Sequence, residues 1–407
     1  MPVPISSELI AAEVYYRRDT STTRCTHPNP CRIPTIYTRK SASQLKTVVL
    51  DWNKGEAVMT PELNNLVDKV QQNCHVSDAF YAGNYTMCIF LLKMREFYRW
   101  EQRIPLTETL PRKDVGDWLV AREQAWDDIE TEAFVELPLN DQLHDPFDAD
   151  GINHHLLQQG YVYSGGTGLY SKPHFFIGDV ERQDRIDDIT ILVSGREHAR
   201  DLVAPPSMYR GNTVFVRKES LRRFLWERIE DWRFAKGHAE RPIGRALETY
   251  GKGRDLELVL DEMTDNETES LILHEVGESR AGKILGSEWE DMLTALPRTK
   301  LEFLARAARD LLADTLVTLP TLIEQDNAAA LHVYFANFSG MRKHLAPGLD
   351  AAYRQWMASG NTATLSEEIR RGQDHWQSIS LKALATFINR GPSARELIES
   401  ELESAAI

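Results

Sequence analysis

The stretch best equipped for chemistry runs from Glu267 to Leu285 and contains His274-Glu-Val-Gly-Glu278. On a helix, Glu267, His274 and Glu278 fall on one face. An imidazole and carboxylates converging between helices is how helical proteins hold iron, manganese or zinc. In that reading His274, Glu278 and Glu267 are ligands to a transition metal, and Glu275 is a general base or a further ligand. A second helix supplies the remaining donor, Glu96 first and Glu101 next. The spacing departs from known patterns. Glu278 stands where a zinc-protease helix carries its second histidine, and Leu271 stands where a di-metal helix carries glutamate. A salt-bridge network of Glu275, Glu278, Arg280 and Lys283, with His274 bonded locally, therefore stays open beside it. Gly277 within the helix costs about 1 kcal/mol relative to alanine, which a tight helix crossing would justify.

Other groups are less complete. Ser194-Gly-Arg-Glu-His-Ala-Arg200 follows a strand-like run. There Arg196, His198 and Arg200 are expected either to hold an anionic substrate or to sit as a satisfied surface loop. Cys25-Thr-His-Pro-Asn-Pro-Cys31, with Cys74-His75, has metal-capable side chains at wider than usual zinc spacing, so reduced thiols in a loop are expected. Ser164-Gly-Gly-Thr-Gly168 lacks the Lys-Ser/Thr of a phosphate loop and reads as a hairpin turn. Asp148-Ala-Asp-Gly-Ile-Asn153 lacks the closing glutamate of a calcium loop.

The elements that must position these groups are mostly helical. Thr60-Pro61-Glu62 opens a helix whose Leu63, Leu66, Val67 and Val70 follow the 3.6 period. The segment 77–103 is apolar nearly all round in its middle and reads as a central buried helix. A third helix over 114–133 carries Trp118 and Trp126. From 160 to 217, short β-branched and aromatic runs divided by Gly and Pro predict a small, mainly antiparallel sheet. Helices follow at about 219–235, 255–286, 298–317, 327–338, 348–358, 365–390 and 394–404, the last opened by a capping box at Ser393-Ala-Arg-Glu396. The expected architecture is α+β and predominantly α. It comprises an N-terminal arm (1–46) that begins with a short helix at 7–19, a helical segment (47–145) starting from a β-like run at 47–50, a β-containing segment (146–217) and a C-terminal helical bundle (218–407).

Composition bounds the partners. The 407-residue chain has 61 acidic against 47 basic residues, a formal net charge of −14. That field repels phosphate backbones and makes nucleic-acid binding unexpected. The locally basic 217–245 interleaves its bases with acids, as a salt-bridged surface helix does. The longest apolar run, near Ile89 to Leu92, is far short of a membrane span. With no leader pattern at the start and only four cysteines, the expectation is a cytoplasmic protein.

Three stretches together, Met94-Arg-Glu-Phe-Tyr-Arg-Trp-Glu101, Gly195-Arg-Glu-His-Ala-Arg-Asp201 and His274-Glu-Val-Gly-Glu-Ser-Arg280, resemble an uncharacterised family of bacterial cytoplasmic proteins. The resemblance covers most of the chain after the arm. It implies no assigned activity and supplies no catalytic residues. Two functional expectations stand at this point. One is a metal-dependent or acid–base enzyme acting on a small anionic molecule. The other is a non-catalytic helical protein that binds a protein partner; Trp118 and Trp126, if exposed together, would suggest its contact surface, against the plainer reading that both are core residues.

Overall fold

A computed structural model describes residues 59–167, 172–235, 240–251, 253–296 and 299–407. The N-terminal arm, including Cys25 and Cys31, the helix at 7–19, the β-like run at 47–50 and Gly168 lie outside the described residues. The fold is α+β and predominantly helical. No described helix is long and apolar enough to cross a membrane. The chain divides into two compact units, here the N-terminal unit (59–105 and 109–219) and the C-terminal unit (106–108 and 220–407).

The N-terminal unit begins with α1 (Pro61–Tyr81), whose cap is Thr60; its hydroxyl accepts from the Leu63 backbone N–H at 3.2 Å. Leu63, Leu66, Val70 and Cys74 form one stripe and pack with Tyr163, Phe175 and Ile177 of the sheet. The core thus runs across the expected division at 145/146. The sheet has the order β3 (Tyr161–Thr167), β4 (Pro173–Ile186), β5 (Ile189–Arg200), β7 (Thr213–Arg217), β6 (Ser207–Arg210). All pairs are antiparallel except β5 with β7, where Thr190 to Ser194 run beside Thr213 to Arg217. Ser164 to Thr167 pair with Phe176 to Pro173, so they extend β3. A small ribbon, β1 (Leu137–Leu139) with β2 (Gln142–His144), precedes α4 (Ala149–Leu156). The Asp148 carboxylate accepts from Gly151 N–H at 3.0 Å and caps that helix.

The expected central helix is not fully buried. Its chain breaks after α1, and α2 (Met87–Glu101) packs one face, Phe90, Met94 and Phe97, while Met87 is 71 % exposed and Leu91 and Leu92 also face solvent. The i, i+4, i+7 stripe decided the packing, not the total apolar content. Helix α3 (Arg112–Asp127) lays Trp126 in the same core, with Trp118 half-buried against it and donating to Glu101.

The C-terminal unit is helical throughout: α5 (Lys218–Phe234, in this unit from Ser220), α6 (Pro242–Thr249), α7 (Leu256–Leu285), α8 (Glu288–Ala295), α9 (Lys300–Ala313), α10 (Leu319–Glu324), α11 (Ala328–Ala336), α12 (Gly340–Leu345), α13 (Pro347–Ser359), α14 (Ala363–Arg390) and α15 (Arg395–Glu403). Along α5, Arg222 pairs with Glu257 and Asp261, and Arg223 with Glu227, as a salt-bridged helix requires. Asp255 caps α7 by accepting from Glu257 and Leu258 N–H, and Gly286 at φ 80° ends it. The capping box expected at Ser393 is not formed; that hydroxyl donates instead to the Arg390 carbonyl oxygen. One continuous apolar core joins α7 to α15.

Between α9 and α10 the chain makes a π-helical turn, Asp314–Thr318, in which Leu319 N–H reaches back five residues to Asp314 O. The cause is Pro320, which lacks an N–H and whose ring would clash with the carbonyl four residues earlier in a regular helix. Widening the turn relieves that clash and rotates Asp314 and Thr318 relative to α9. Glycines sit on both sides. A Cβ on Gly277 would lie 2.6 Å from Ala313 O, and one on Gly372 would lie 3.2 Å from Thr315 Cγ2. Gly277 therefore marks a close crossing of α7 on α9, and the crossing sets what His274 and Glu278 can touch.

Candidate functional site

His274 and Glu278 do meet on α7, and the groups they meet come from α9 and the π turn. His274 Nδ1 lies 2.8 Å from Asp314 Oδ1, and Nε2 lies 3.3 Å from Glu278 Oε1. The other oxygen of Glu278 is 3.1 Å from Arg309, and Asp314 Oδ2 accepts from Tyr334 Oη at 2.8 Å and from Arg342 at 3.0 Å. Burial opposes charge on His274, but Asp314 and Glu278 outweigh it and hold the imidazole well above its ordinary value. Burial likewise pushes Asp314 up, and His274 with Arg342 outweighs it, so Asp314 stays below the usual carboxylate value. The result is an imidazolium clamped by two carboxylates, each of which is also held by an arginine.

Beside this clamp is a small pocket of about 20 Å³, room for about one water, lined by α5, α7, the π turn, α10 and α11. Glu267, Ser270, His274, Asp314, Thr318, Tyr334 and Asn337 give it polar walls, and leucines, Phe224 and Val333 supply the rest. Glu267 differs in kind from its neighbours. Its side chain is 6 % exposed, and its Oε1 has no hydrogen-bond partner in the protein. Burial raises its pKa well above 4.5, and a hydrogen bond from Ser270 only partly opposes that. Deeper in, Asp310 Oδ2 is also without a partner, and burial together with Glu278 pushes that carboxyl up to about 6.

The expected metal ligands are not assembled as a metal site. Among the described residues no three His, Cys, Asp or Glu side chains are grouped to hold a metal ion. His274 and Glu278 turn their donor atoms to Asp314 and Arg309, and burial raises the pKa of Glu267, which opposes the carboxylate a metal binds. Glu96 lies on α2 in the N-terminal unit, where its two oxygens engage Arg95 at 2.8 Å and Arg99 at 3.1 Å. Glu101 is held by Trp118 and Arg122. Glu275 is buried on α7 but does not line the pocket.

The expected anion-binding trio is also dispersed among its own neighbours in the N-terminal unit. Arg196 is exposed on β5; His198 Nε2 is 2.7 Å from Asp179 Oδ1. Arg200 is buried with its guanidinium 4.6 Å from the Trp100 ring centre. Cys74 is buried, donating to the Phe175 carbonyl oxygen at 3.3 Å, and burial with Asp201 and Asp78 pushes its thiol up, so it is unreactive. His75 is buried beside Arg122, and burial first and that cation second lower it to about 3.

Asp314, Arg309, Tyr334 and Arg342 were missed from sequence. Their signal was present but faint: Arg309, Asp310 and Asp314 fall among the apolar residues of 307–319, and Asp314 stands six residues before Pro320. Charges at core positions of a helix mark a buried network.

Fold and site together define a two-unit α+β protein whose helical unit carries a buried polar pocket next to a charge clamp. Residues 65–217 match the N-terminal domain, and residues 222–405 the C-terminal domain, of a family of unknown function, DUF6866, and the chain belongs to that family. No curated protein matches the chain, and no solved structure does.

Proposed function

We propose that the C-terminal unit is an acid–base enzyme acting on a small molecule, with Glu267 as its proton donor. One observation carries this reading: on the wall of a pocket lies a buried carboxyl whose pKa is raised by burial and one of whose oxygens has no partner in the protein. A general acid needs that combination, protonation near neutral pH and access to the substrate. His274 lines the same pocket, but its nitrogens already face Asp314 and Glu278, so it serves as a fixed positive charge that steadies developing negative charge.

The metal version is not carried forward, because its donors are engaged as described above. Nor is the anionic substrate, because Arg196, His198 and Arg200 are residues of the N-terminal unit and none of them lines the pocket. The non-catalytic alternative drew on Trp118 and Trp126 as a contact surface; Trp126 is buried and Trp118 half-buried against Tyr98 and Phe97, which makes them core.

Infrared difference spectra of the full chain against Glu267→Gln test the first half of this reading. A protonated carboxyl band near neutral pH, absent from the variant, is expected. Turnover of a panel of small neutral esters, amides and epoxides tests the second half, with Glu267→Gln slower by about 10²–10⁴-fold. An ionised Glu267 at pH 7 would refute the assignment, as would equal turnover in the two proteins.

A further inference from the structure

Behind His274 the clamp leaves one carboxyl almost unserved. The Asp310 side chain is 1 % exposed. Its Oδ1 reaches Arg309 Nη2 only at 3.4 Å, and its Oδ2 is buried without a partner. The same Arg309 nitrogen lies closer to Glu278 Oε2, at 3.1 Å, and Nη1 of that guanidinium faces Glu290 at 3.5 Å. One cation therefore meets three carboxyl groups.

The surrounding charges do not make up the difference. Helix α7 brings the His274 imidazolium and Glu278, α8 brings Glu290, the π turn brings Asp314 and α12 brings Arg342. His274 is engaged with Asp314 and Glu278, and Arg342 with Asp314. Helices α14 and α15 also pack on α9 but give Asp310 no ion pair among the described residues. A buried carboxylate oxygen without a donor is far costlier than a buried neutral hydroxyl, so this arrangement favours a proton on Asp310. Burial and then the Glu278 charge push the carboxyl up to about 6, against the pull of Arg309, His274 and Arg342.

We propose that Asp310 is the proton-bearing member of a pH-operated latch at the crossing of α7 on α9. Protonated, it leaves Arg309 Nη2 to Glu278. Ionised, it competes with Glu278 for that nitrogen, and the change reaches the His274 imidazolium on the pocket wall. Little motion is needed, because both carboxyl groups already lie within 3.4 Å of one nitrogen on a side chain that is 2 % exposed. Glu278 Oε1, 3.3 Å from His274 Nε2, carries the effect onward. Proton binding at Asp310 and at His274 is thus coupled, and the coupling is reciprocal. The latch works whether or not Glu267 acts as an acid.

Carboxyl and imidazole NMR resonances of the full chain, followed from pH 4.5 to 8, test it. A carboxyl midpoint near pH 6, missing from Asp310→Asn, is expected. The His274 resonances should show a step at the same pH, and that step should also be missing from the variant. Glu278→Gln removes the competing charge, so the Asp310 midpoint should fall by about one pH unit or more. This second variant decides the matter should Asp310→Asn not fold. An Asp310 that does not titrate in this range would overturn the latch. So would a His274 step that is absent or survives Asp310→Asn, or a midpoint unmoved in Glu278→Gln.

Discussion

Each unit buries a row of charges, and the partners of those charges set the two rows apart. In the N-terminal unit Asp78 receives Lys172 at 2.6 Å on one oxygen and Leu202 N–H at 2.8 Å on the other. Asp201 meets His174 at 2.9 Å and takes Val203 and Ala204 N–H, each at 2.8 Å. Glu197 holds Arg217 through both oxygens, at 3.0 and 2.6 Å, and that guanidinium lies 4.3 Å from the Phe176 ring centre. Every oxygen of these three carboxylates is occupied, much of it by backbone, so the row fixes the path of the chain after β5. In the C-terminal unit both oxygens of Asp314 and of Glu278 are likewise engaged, yet Glu267, Thr318 and Asn337 stand on the pocket wall, each with a buried atom unsatisfied. Satisfied buried charge belongs to architecture; unsatisfied buried polarity next to space points to a ligand.

The sharpest way to break this contrast is to remove one partner from the architectural row. Arg217→Met takes both close hydrogen bonds from the buried Glu197 carboxylate, which keeps the longer ion pair with Arg200 at 3.9 Å, and should cost about 3–5 kcal/mol in urea unfolding monitored by circular dichroism. Adding Glu197→Gln should recover most of that loss, because the whole pair is then replaced. A single variant as stable as the wild type would show that the row is not structural.

In the C-terminal unit the opposite sign is expected. Glu267 has a folded pKa above its ordinary 4.5. Its contribution to stability is therefore full below pH 4.5 and declines as pH rises towards the folded value. The linkage allows Glu267→Gln to stabilise the protein by up to about 3 kcal/mol at pH 7 and by nothing from this source at pH 4.5. His274, raised above 6.5, gives a second decline of the same sign, beginning at pH 6.5 and completed as pH passes through its folded value, and the variant leaves that part unchanged. Thermal unfolding of both proteins from pH 4.5 to 9 measures the difference. Parallel curves would mean that Glu267 is ionised in the fold.

Much of this site was legible before the structure, and the limits of that reading are physical. Helix α7 runs Leu256–Leu285 against an expectation of 255–286, because Asp255 caps one end and Gly286 the other. The shared face of Glu267, His274 and Glu278 follows from helical period alone. What period cannot supply is the partner across the crossing. Glu96 was the expected donor because it sits on an apolar helix, but Asp314 is the residue that arrives, through a π turn that depends on Pro320. The same limit applied to α2, where apolar composition suggested full burial and only the stripe Phe90, Met94, Phe97 packs. Local signals name the face; long-range packing chooses what meets it.

Gly277 tests whether the crossing positions the clamp. Alanine there gains helix propensity of about 1 kcal/mol but drives its Cβ to 2.6 Å from Ala313 O, a backbone atom that cannot swing away. A net loss of about 1–2 kcal/mol is expected from those opposing effects. The shift of α7 should also change the environment of His274, seen as a displaced imidazole resonance in NMR titrations. A stabilised Gly277→Ala with an unmoved His274 would show that the close approach is unnecessary.

The smallest effect separates pocket from core most cleanly. Thr318 is 3 % exposed and its hydroxyl has no partner, so Thr318→Val removes an unsatisfied polar atom and adds no volume beyond a methyl. In a core where that hydroxyl was hydrogen-bonded, the change would cost about 1 kcal/mol. Here it should be neutral or stabilising by up to about 1 kcal/mol, because the desolvated hydroxyl is no longer left unpaired. The pattern to look for in denaturant midpoints is therefore stability kept or gained. Residues that hold a fold lose stability when trimmed; residues that wait for a ligand lose binding first. A destabilised Thr318→Val protein would move Thr318 from the pocket wall into the structural network.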